Sequence, residues 1–413
     1  MTSEESYVWV WLPGATEPIV AGRLEAIGDI VVFNYGQSYL QRDDAIALYL
    51  PELPLKRGPI RPEPGLAIAG CIKDAGPDAW GQRVIMYNHL GDAARDADPG
   101  NLSTLTYLLE SGSDRVGALD FQTSPKTYVA RSGSATLEEM VRAVDLLEAG
   151  EPLSAALGTA LLEGSAIGGA RPKVLLDDDG RSLIAKLSSR TDTYPVVKAE
   201  AVAMGLAKRV GLDVADATVI ESVGHDVLIV ERFDRTSTPG ERKMFVSALT
   251  MFELDEMMGR YATYHQLAEI IRARFTQPDR TLREMFARIV FNICVSNTDD
   301  HARNHAAFWD GSQLTLTPAY DICPQQRSGG EATQAMEIAP GFRFSQLRGC
   351  VDAAEIYHLS RDEASAVIDG QLEVINAQWT EVADAARLNE AERQQLWHRQ
   401  ILNPYALEGY GQG

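Results

Sequence analysis

The polar segment Ser-Asn-Thr-Asp-Asp-His-Ala-Arg-Asn, from Ser296 to Asn304, constrains the fold of this chain more than any other feature. It follows an apolar stretch from Met285 to Val295, which is typical of a buried helix. Asp299 and Asn304 have the D-x-x-x-x-N spacing of kinase catalytic loops, in which a carboxylate meets the acceptor hydroxyl and an amide oxygen coordinates Mg²⁺. The sequence therefore predicts a rigid helix that delivers this loop to a phosphate site.

Three further elements of a nucleotide site occur in the expected order around this loop. A glycine-rich turn from Gly164 to Lys173 precedes a predicted hairpin, as a phosphate-covering loop does, although it departs from the Walker pattern. Lys186 ends the second strand of that hairpin, and Glu200 follows on the next predicted helix, where it can pair with Lys186. A short predicted strand that begins at Leu314 ends in Asp321, at the place of a second Mg²⁺ ligand. Each element alone has an ordinary alternative, a plain turn or a surface lysine, and their order is what indicates a kinase.

A zinc site is the alternative interpretation of the same polar segment. His301 and His305 are four residues apart and would share one face of a helix. The H-E-x-x-H pattern is missing, and the neighbouring Asp and Asn residues favour Mg²⁺. We therefore expect His301 to brace the loop by hydrogen bonding. The acidic run from Asp177 to Gly180 is likewise expected to be a solvated hairpin turn.

The charge of the chain limits its partners. The 413 residues include 58 acidic and 38 basic side chains, a formal net charge of −20. Nucleic-acid binding depends on Lys and Arg contacts to phosphates, so this composition argues against autonomous DNA or RNA binding. The four scattered cysteines suggest neither disulfides nor a zinc site, and we find no signal peptide or membrane-spanning run in the sequence. We therefore expect a cytoplasmic protein with no membrane partner.

The distribution of strand and helix patterns predicts an α+β fold. β-branched and aromatic runs at 7–12 and 30–35 predict a β-rich region at 1–112. A small lobe with the glycine-rich loop and hinge is expected at 113–240, and a mainly helical lobe at 241–413. We therefore predict a bilobal kinase-like architecture preceded by a β-rich N-terminal region.

The sequence resembles the HipA family of bacterial toxin–antitoxin serine/threonine kinases over nearly its full length. Five segments carry the resemblance, the last two being quite specific in combination: Pro77–Gly81, Gly168–Lys173, Val230–Arg235, Asn297–Asn304 and Thr317–Asp321.

The resemblance implies a set of site residues. Asp299 would be the catalytic base, and Asn304 and Asp321 would hold Mg²⁺. Nucleotide contacts would come from Gly168, Gly169, Ala170, Lys173, Lys186, Glu231, Phe233 and Asp234, with Lys186 at the phosphates and the backbone of Glu231 to Phe233 at the adenine. Asp234 would meet the ribose, and a salt bridge is its alternative role.

The resemblance also implies a function and partners. Such a protein transfers the ATP γ-phosphate to a protein substrate, such as an aminoacyl-tRNA synthetase, and arrests growth. A HipB-like helix-turn-helix antitoxin neutralises it and carries it to operator DNA. One departure concerns the serine that the family autophosphorylates. Ala166 occupies its place and Ser165 lies one residue earlier, so either Ser165 substitutes for that serine or Ala166 marks its loss.

Two alternative functions remain open at this point. One is a catalytically silent co-repressor subunit that acts with a DNA-binding antitoxin. The other is a small-molecule phosphotransferase of the aminoglycoside or choline kinase type, whose loops share the D-x-x-x-x-N spacing but which needs no β-rich N-terminal region.

Overall fold

Antiparallel sheets and helices make up this computed structural model, which describes residues 4–91, 94, 97–132, 135–164, 166, 171–189, 192–327 and 329–411. The chain divides into two compact units. Unit 1 contains Met1–Arg190, Glu221–Val246 and Phe308–Ser312, and unit 2 contains Thr191–Ile220, Ser247–Ala307 and Gln313–Gly413. The predicted α+β fold is confirmed, while the predicted boundaries after residues 112 and 240 stay predictions.

The strands and helices have the following bounds. The strands are β1 Glu5–Val10, β2 Ile19–Ile27, β3 Ile30–Tyr35, β4 Leu119–Gln122, β5 Lys173–Asp178, β6 Arg181–Leu187, β7 Ala217–Ser222, β8 His225–Glu231, β9 Phe245–Ser247, β10 Ala306–Trp309 and β11 Leu314–Leu316. The helices are α1 Gln37–Leu40, α2 Gly70–Asp74, α3 Ala79–Leu90, α4 Thr104–Glu110, α5 Leu137–Ala149, α6 Ala155–Glu163, α7 Val196–Arg209, α8 Ala248–Met251, α9 Tyr264–Arg274, α10 Pro278–Cys294, α11 Leu347–Asp352, α12 Arg361–Ala385, α13 Glu390–Leu396 and α14 Pro404–Leu407.

The first sheet has the strand order β3-β2-β1-β4, and the pairings are antiparallel. The strands predicted at 7–12 and 30–35 are β1 and β3. The closing strand β4 lies beyond residue 112, so this sheet includes chain from after the predicted boundary. A further sheet of three short strands has the order β11-β10-β9.

The second four-stranded sheet, β5-β6-β8-β7, contains the predicted hairpin. Asp178 pairs with Arg181, so Asp179 and Gly180 form a two-residue turn, and both have positive φ, 51° and 83°. This is the type I′ geometry for which an Asp-Gly pair is favoured. The hairpin was therefore predictable from four residues.

One core cluster lies against β5, β6 and β8. Its buried side chains come from these strands and from α3, α5 and α6, and include Trp80, Val84, Met140, Val144, Leu161, Val174, Ala185 and Val227. The helices α5 and α6 are separate, because Gly150 ends α5 in the left-handed conformation and Pro152 follows.

The second unit is organised around α10, which is buried along most of its length and packs against α9, α11 and α12. The predicted mainly helical lobe at 241–413 omits the short strands β9 and β10, whereas the strand predicted from Leu314 is found as β11, and irregular chain occupies much of 317–327 and 329–346. None of the helices in the described ranges has the length and apolar character that crossing a bilayer requires.

A buried ion cluster connects β8 to the segment before β4. Asp234 accepts hydrogen bonds from Arg232 Nη2 at 2.8 Å, Arg235 Nη1 at 3.0 Å and the Gly117 amide at 2.7 Å. Arg232 donates in turn to the Arg115 carbonyl at 2.6 Å, and the Arg115 Nε contacts Asp120 of β4 at 2.7 Å. The predicted domain junction around these residues is therefore packed and charge-paired.

We predict that Asp234→Asn lowers the free energy of unfolding by roughly 3–5 kcal/mol, because it leaves buried guanidinium charge uncompensated. Urea denaturation monitored by tryptophan fluorescence measures this. Asp44→Asn is the control, because Asp44 also pairs with an arginine, Arg42, but in an exposed ion pair that contributes little. Equal effects of the two substitutions would contradict the role of the cluster.

The same cluster makes stability depend on pH. Burial raises the pKa of Asp234, but Arg232 and Arg235 outweigh that effect and hold the pKa well below its usual range. A carboxylate with a lowered folded-state pKa contributes stability above its unfolded pKa of about 3.9, and this contribution is lost as the pH falls further. The wild type is therefore expected to lose more stability than Asp234→Asn between pH 5 and pH 3.

Candidate active site

The predicted catalytic loop begins directly after α10 and is fixed to it. The Asn297 amide donates to the Asn292 carbonyl at 2.8 Å, and its side-chain Nδ2 donates to Asn292 Oδ1 at 3.1 Å. Ser296 is buried with a positive φ of 53°, and its hydroxyl donates to the Gln400 carbonyl at 2.6 Å. Left-handed backbone is unfavourable for serine, so these contacts determine the sharp exit from the helix.

Asp299 is exposed, and we find no hydrogen bond to its carboxylate among the described residues. Partial burial raises its pKa, His301 opposes the shift, and the carboxylates of Asp321 and Asp300 raise it further. The influence of Asp321 indicates that the two predicted functional carboxylates lie near each other. Asp299 is thus an available proton acceptor on a fixed loop.

The neighbouring Asp300 has the opposite environment and holds the loop in place. Its buried Oδ2 accepts hydrogen bonds from Asn292 Nδ2 at 2.8 Å, from His305 Nε2 at 2.8 Å and from the Tyr264 hydroxyl. Burial, with a further contribution from Asp300, raises the pKa of Tyr264 well above its usual range, so this hydroxyl stays a donor. Sequence reasoning missed this role, although the adjacent Asp-Asp pair was a signal that one carboxylate would turn inward.

The prediction that His301 braces the loop was wrong. His301 is exposed, and the bracing contact belongs to the buried His305. The two histidines do not share a helix face, because only Ala302–Asn304 between them form a single 3₁₀ turn. The physical reason is that His305 begins the extended segment of β10, which packs into the core.

Asn304 and Asp321, the predicted Mg²⁺ ligands, lie in unit 2 with Asp299. Asn304 is buried at the end of the 3₁₀ turn, and we find no hydrogen bond to its side chain among the described residues. The Tyr320 hydroxyl donates to the Arg303 carbonyl at 2.6 Å and so holds the residue before Asp321 against the residue before Asn304.

The prediction that Asp321 ends a strand was wrong. β11 ends at Leu316, and an irregular connection that includes Pro-Ala-Tyr leads to Asp321. Asp321 itself has a positive φ of 59°. Aspartate tolerates this left-handed backbone better than most residues other than glycine.

These side chains fit a hard divalent cation. Asp321 offers a carboxylate and Asn304 an amide oxygen, the donors that Mg²⁺ takes. In the described ranges no group of three or more His, Cys, Asp or Glu side chains is arranged to hold a metal ion. A cation at Asn304 and Asp321 would therefore need further oxygen ligands, such as nucleotide phosphates and water.

Two predicted phosphate-binding lysines lie in unit 1 on neighbouring strands. Lys173 of β5 is paired in register with Lys186 of β6, so the two side chains start from the same face of the hairpin. Like charges directly opposite each other are destabilising, and Asp78 Oδ2 lies 3.9 Å from Lys173 Nζ. Asp78 therefore offsets part of the positive charge on this face of the hairpin.

The N-terminal Pro77–Gly81 motif supports this hairpin, a role that the sequence did not reveal. Asp78 caps α3 by accepting hydrogen bonds from the amides of Trp80 and Gly81. The buried Trp80 donates through Nε1 to the Lys173 carbonyl at 3.1 Å. The motif therefore positions the start of β5.

The other residues predicted to contact the nucleotide lie partly outside the described residues and partly on β8 and α7. Gly168, Gly169, Ala170 and Ser165 lie outside the described residues, and Ala166 is buried. Glu231 is exposed at the end of β8, and Phe233 contacts Phe308 edge to face with centroids 6.0 Å apart. Glu200 is buried on α7, and its pairing with Lys186 stays a prediction.

The role predicted for Asp234 at the ribose is corrected by its contacts. Both of its oxygens accept hydrogen bonds from buried arginines, so the salt-bridge alternative describes its contacts and the ribose role does not. The physical reason is that a buried carboxylate in low dielectric takes charged partners first.

A lysine-bearing antiparallel hairpin and a helix-supported D-x-x-x-x-N loop define a protein with a kinase-like α+β fold. A model of the HipA-like C-terminal domain matches residues 165–379, and a model of the HipA N-terminal domain matches residues 10–122. The chain belongs to the HipA family.

Individual relatives align over shorter stretches. The serine/threonine-protein kinase toxin HipA of Shewanella oneidensis is 25% identical over 182 residues, 38% of this chain and 42% of that protein. The putative kinase Y4mE of Sinorhizobium fredii is 27% identical over 133 residues, 30% of this chain and 31% of that protein. The chain thus aligns with less than half the length of these relatives.

A solved structure matches much more of the chain. A chain of the complex of Shewanella oneidensis MR-1 HipA, HipB and operator DNA superimposes with a TM-score of 0.69 at 18% identity, covering 97% of this chain and 96% of that one. At this identity the likeness establishes the fold.

The hydrogen bonds to Asp300 lead to a stability prediction. Asp300→Asn is expected to lower the free energy of unfolding by about 1.5–3 kcal/mol, since a neutral amide oxygen is a weaker acceptor for the three donors than the charged carboxylate oxygen. Asp299→Asn is the matched control one residue away and should leave stability close to that of the wild type, because we find no hydrogen bond to that carboxylate among the described residues. Chemical denaturation of both variants tests the contrast, and equal stabilities would contradict it.

Proposed function

We propose that this protein is a serine/threonine-protein kinase toxin that transfers the γ-phosphate of ATP to a protein target. The observation that carries the proposal is Asp299: an exposed carboxylate on a loop braced by Asp300, close to Asp321 and five residues before Asn304. Family membership and relatives named as kinases support it.

In this proposal the residues of the loop act mainly by position. Asp299 accepts a hydrogen bond from the acceptor hydroxyl, orients its oxygen toward the γ-phosphorus and takes the proton as the new oxygen–phosphorus bond forms. The bond between the γ-phosphorus and the β,γ-bridging oxygen breaks in the same step, and ADP leaves with that oxygen. The proton thus moves from the hydroxyl oxygen to an Asp299 oxygen. Such positioning accounts for much of phosphoryl-transfer catalysis.

Mg²⁺ would be held by Asn304 and Asp321, and when bound it would neutralise phosphate charge. In a chain with a net charge of −20, a nucleotide needs local positive charge. Lys173 and Lys186 provide it on one face of the β5–β6 hairpin. We further propose that Gly168, Gly169 and Ala170 cover the phosphates and that the backbone from Glu231 to Phe233 meets the adenine. Asp234 is left out.

We also propose a partner: a basic, HipB-like helix-turn-helix antitoxin that carries this chain to operator DNA. The net charge of −20 supports the proposal, since an acidic protein complements a basic partner and repels phosphates. The matched structure is of a HipA assembled with HipB and DNA. The substrate is proposed to be a component of translation, such as an aminoacyl-tRNA synthetase.

The first test is removal of the proposed base. Asp299→Asn is expected to reduce ³²P incorporation into protein by about 100-fold or more, because the acceptor hydroxyl loses its proton acceptor. ATP binding, measured by calorimetry, should stay close to that of the wild type. Undiminished incorporation would refute the assignment, and a wild type that binds ATP without turnover would favour the silent co-repressor.

A second test concerns the nucleotide charge. Lys186→Ala is expected to weaken ATP binding about tenfold or more, the cost of a lost charge-assisted contact. Lys186→Arg should retain part of the affinity because it keeps the charge. Arg181→Ala on the same strand is the control, since Arg181 lies at the turn and pairs with Asp178. Equal ATP affinities for Lys186→Ala and Arg181→Ala would contradict the proposed contact.

A further inference from the structure

An exposed apolar cluster lies in unit 2 between α8 and α9. Met257 is 73% exposed, Tyr261 57% and Met258 44%. We call residues 253–261 the rim segment. Single exposed apolar side chains are common, but three within five residues form a patch of the kind that marks interaction sites.

The backbone of the rim segment is fixed, so its side chains point outward for a structural reason. The Met258 amide donates to Asp255 Oδ1 at 2.7 Å, and the Gly259 amide donates to the Asp255 carbonyl at 2.9 Å. A 3₁₀ turn over Gly259–Tyr261 follows, and the next residue, Ala262, is buried. The patch is therefore pre-organised.

The rim segment is joined directly to the catalytic loop. Arg303 Nη2 contacts Glu256 Oε1 at 2.6 Å. Glu256 directly precedes Met257 and Arg303 directly precedes Asn304, so this ion pair joins the rim segment to the loop. On the other side of the loop, the Ala335 amide donates to the Thr298 carbonyl at 3.0 Å. Thr333, two residues before Ala335, forms an isolated β-bridge with Phe344, which is 45% exposed. Exposed apolar side chains thus lie on two segments that each contact the loop that carries Asp299.

The rim segment is also acidic. Glu253, Asp255 and Glu256 are its acidic residues, against one basic residue, Arg260, whose guanidinium lies over the Tyr261 ring at 5.0 Å from the centroid. Asp255 and Glu256 have the partners described above, whereas Glu253 has neither an ion pair nor a side-chain hydrogen bond within the described part of the chain. A ligand that covers this surface should therefore carry both apolar and cationic side chains.

We propose that the rim segment is the docking surface for an extended segment of the protein substrate, which carries a lysine or arginine and an apolar side chain next to its acceptor Ser or Thr. This inference rests on the proposed kinase function and adds the chemistry that selects the acceptor. Met257, Met258 and Tyr261 contact the apolar side chain, and Glu253 contacts the cation. The acceptor hydroxyl then lies over Asp299.

Binding of two labelled peptides tests the proposal without requiring turnover. One probe has a central Ser flanked by Arg and Leu, and the other replaces the Arg by Glu. Fluorescence anisotropy with the full chain should show tighter binding of the Arg peptide. The combined variant Met257→Ser, Met258→Ser, Tyr261→Ser should weaken it roughly tenfold or more, since these are exposed anchors whose apolar area is lost. Val129→Ser, at a residue that is 61% exposed in unit 1, is the matched control and should change nothing.

A charge reversal adds a readout that a merely structural role would not produce. Glu253→Arg should weaken the Arg peptide and strengthen the Glu peptide. Equal binding of both peptides to the wild type, or an unchanged preference in Glu253→Arg, would overturn the inference. The combined serine variant must also raise the KM for phosphorylation of the Arg peptide. Selective peptide binding without phosphate transfer by the wild type would instead refute the kinase function and leave the docking surface standing.

Discussion

Unit 1 depends on a buried cluster of ion pairs, in which each charged side chain needs its partners to compensate its charge. Asp234 is surrounded by Arg232 and Arg235, and Arg232 in turn reaches the carbonyl of Arg115, whose guanidinium contacts Asp120 on β4. Breaking any pair leaves a charge in low dielectric, which costs several kcal/mol. The cluster therefore fixes β8, and through it the neighbouring β6 with Lys186, relative to the N-terminal sheet.

Unit 2 uses the same principle on a smaller scale. One buried oxygen of Asp300 collects donors from α10, from α9 and from the start of β10, so three elements meet at the loop. Because Asp300 is held inward, Asp299 is left exposed. The proposed chemistry thus depends on two adjacent carboxylates with opposite environments, one of them structural and one available to a substrate.

Local patterns allowed much of the fold to be predicted. The Asp-Gly turn fixed the β5–β6 hairpin, and the apolar run before residue 296 fixed the helix that supports the loop. What could not be predicted depends on contacts between residues far apart in the chain. The link from Trp80 to Lys173, the bracing by His305 instead of His301, and the ion pairs of Asp234 each need a neighbour that sequence spacing does not reveal.

The sequence by itself determined the α+β class, the HipA family resemblance and the spacing of Asp299 and Asn304, because these follow from residue order and periodicity. Only the tertiary structure decided which member of the Asp-Asp pair is exposed and that Asp321 has left-handed backbone after an irregular connection. It also decided that the segment of Met257, Met258 and Tyr261 is joined to the loop by the Glu256–Arg303 ion pair. The physical reason is burial. Whether a polar group is solvated or must find a buried partner depends on the surrounding packing, which residue order alone does not reveal.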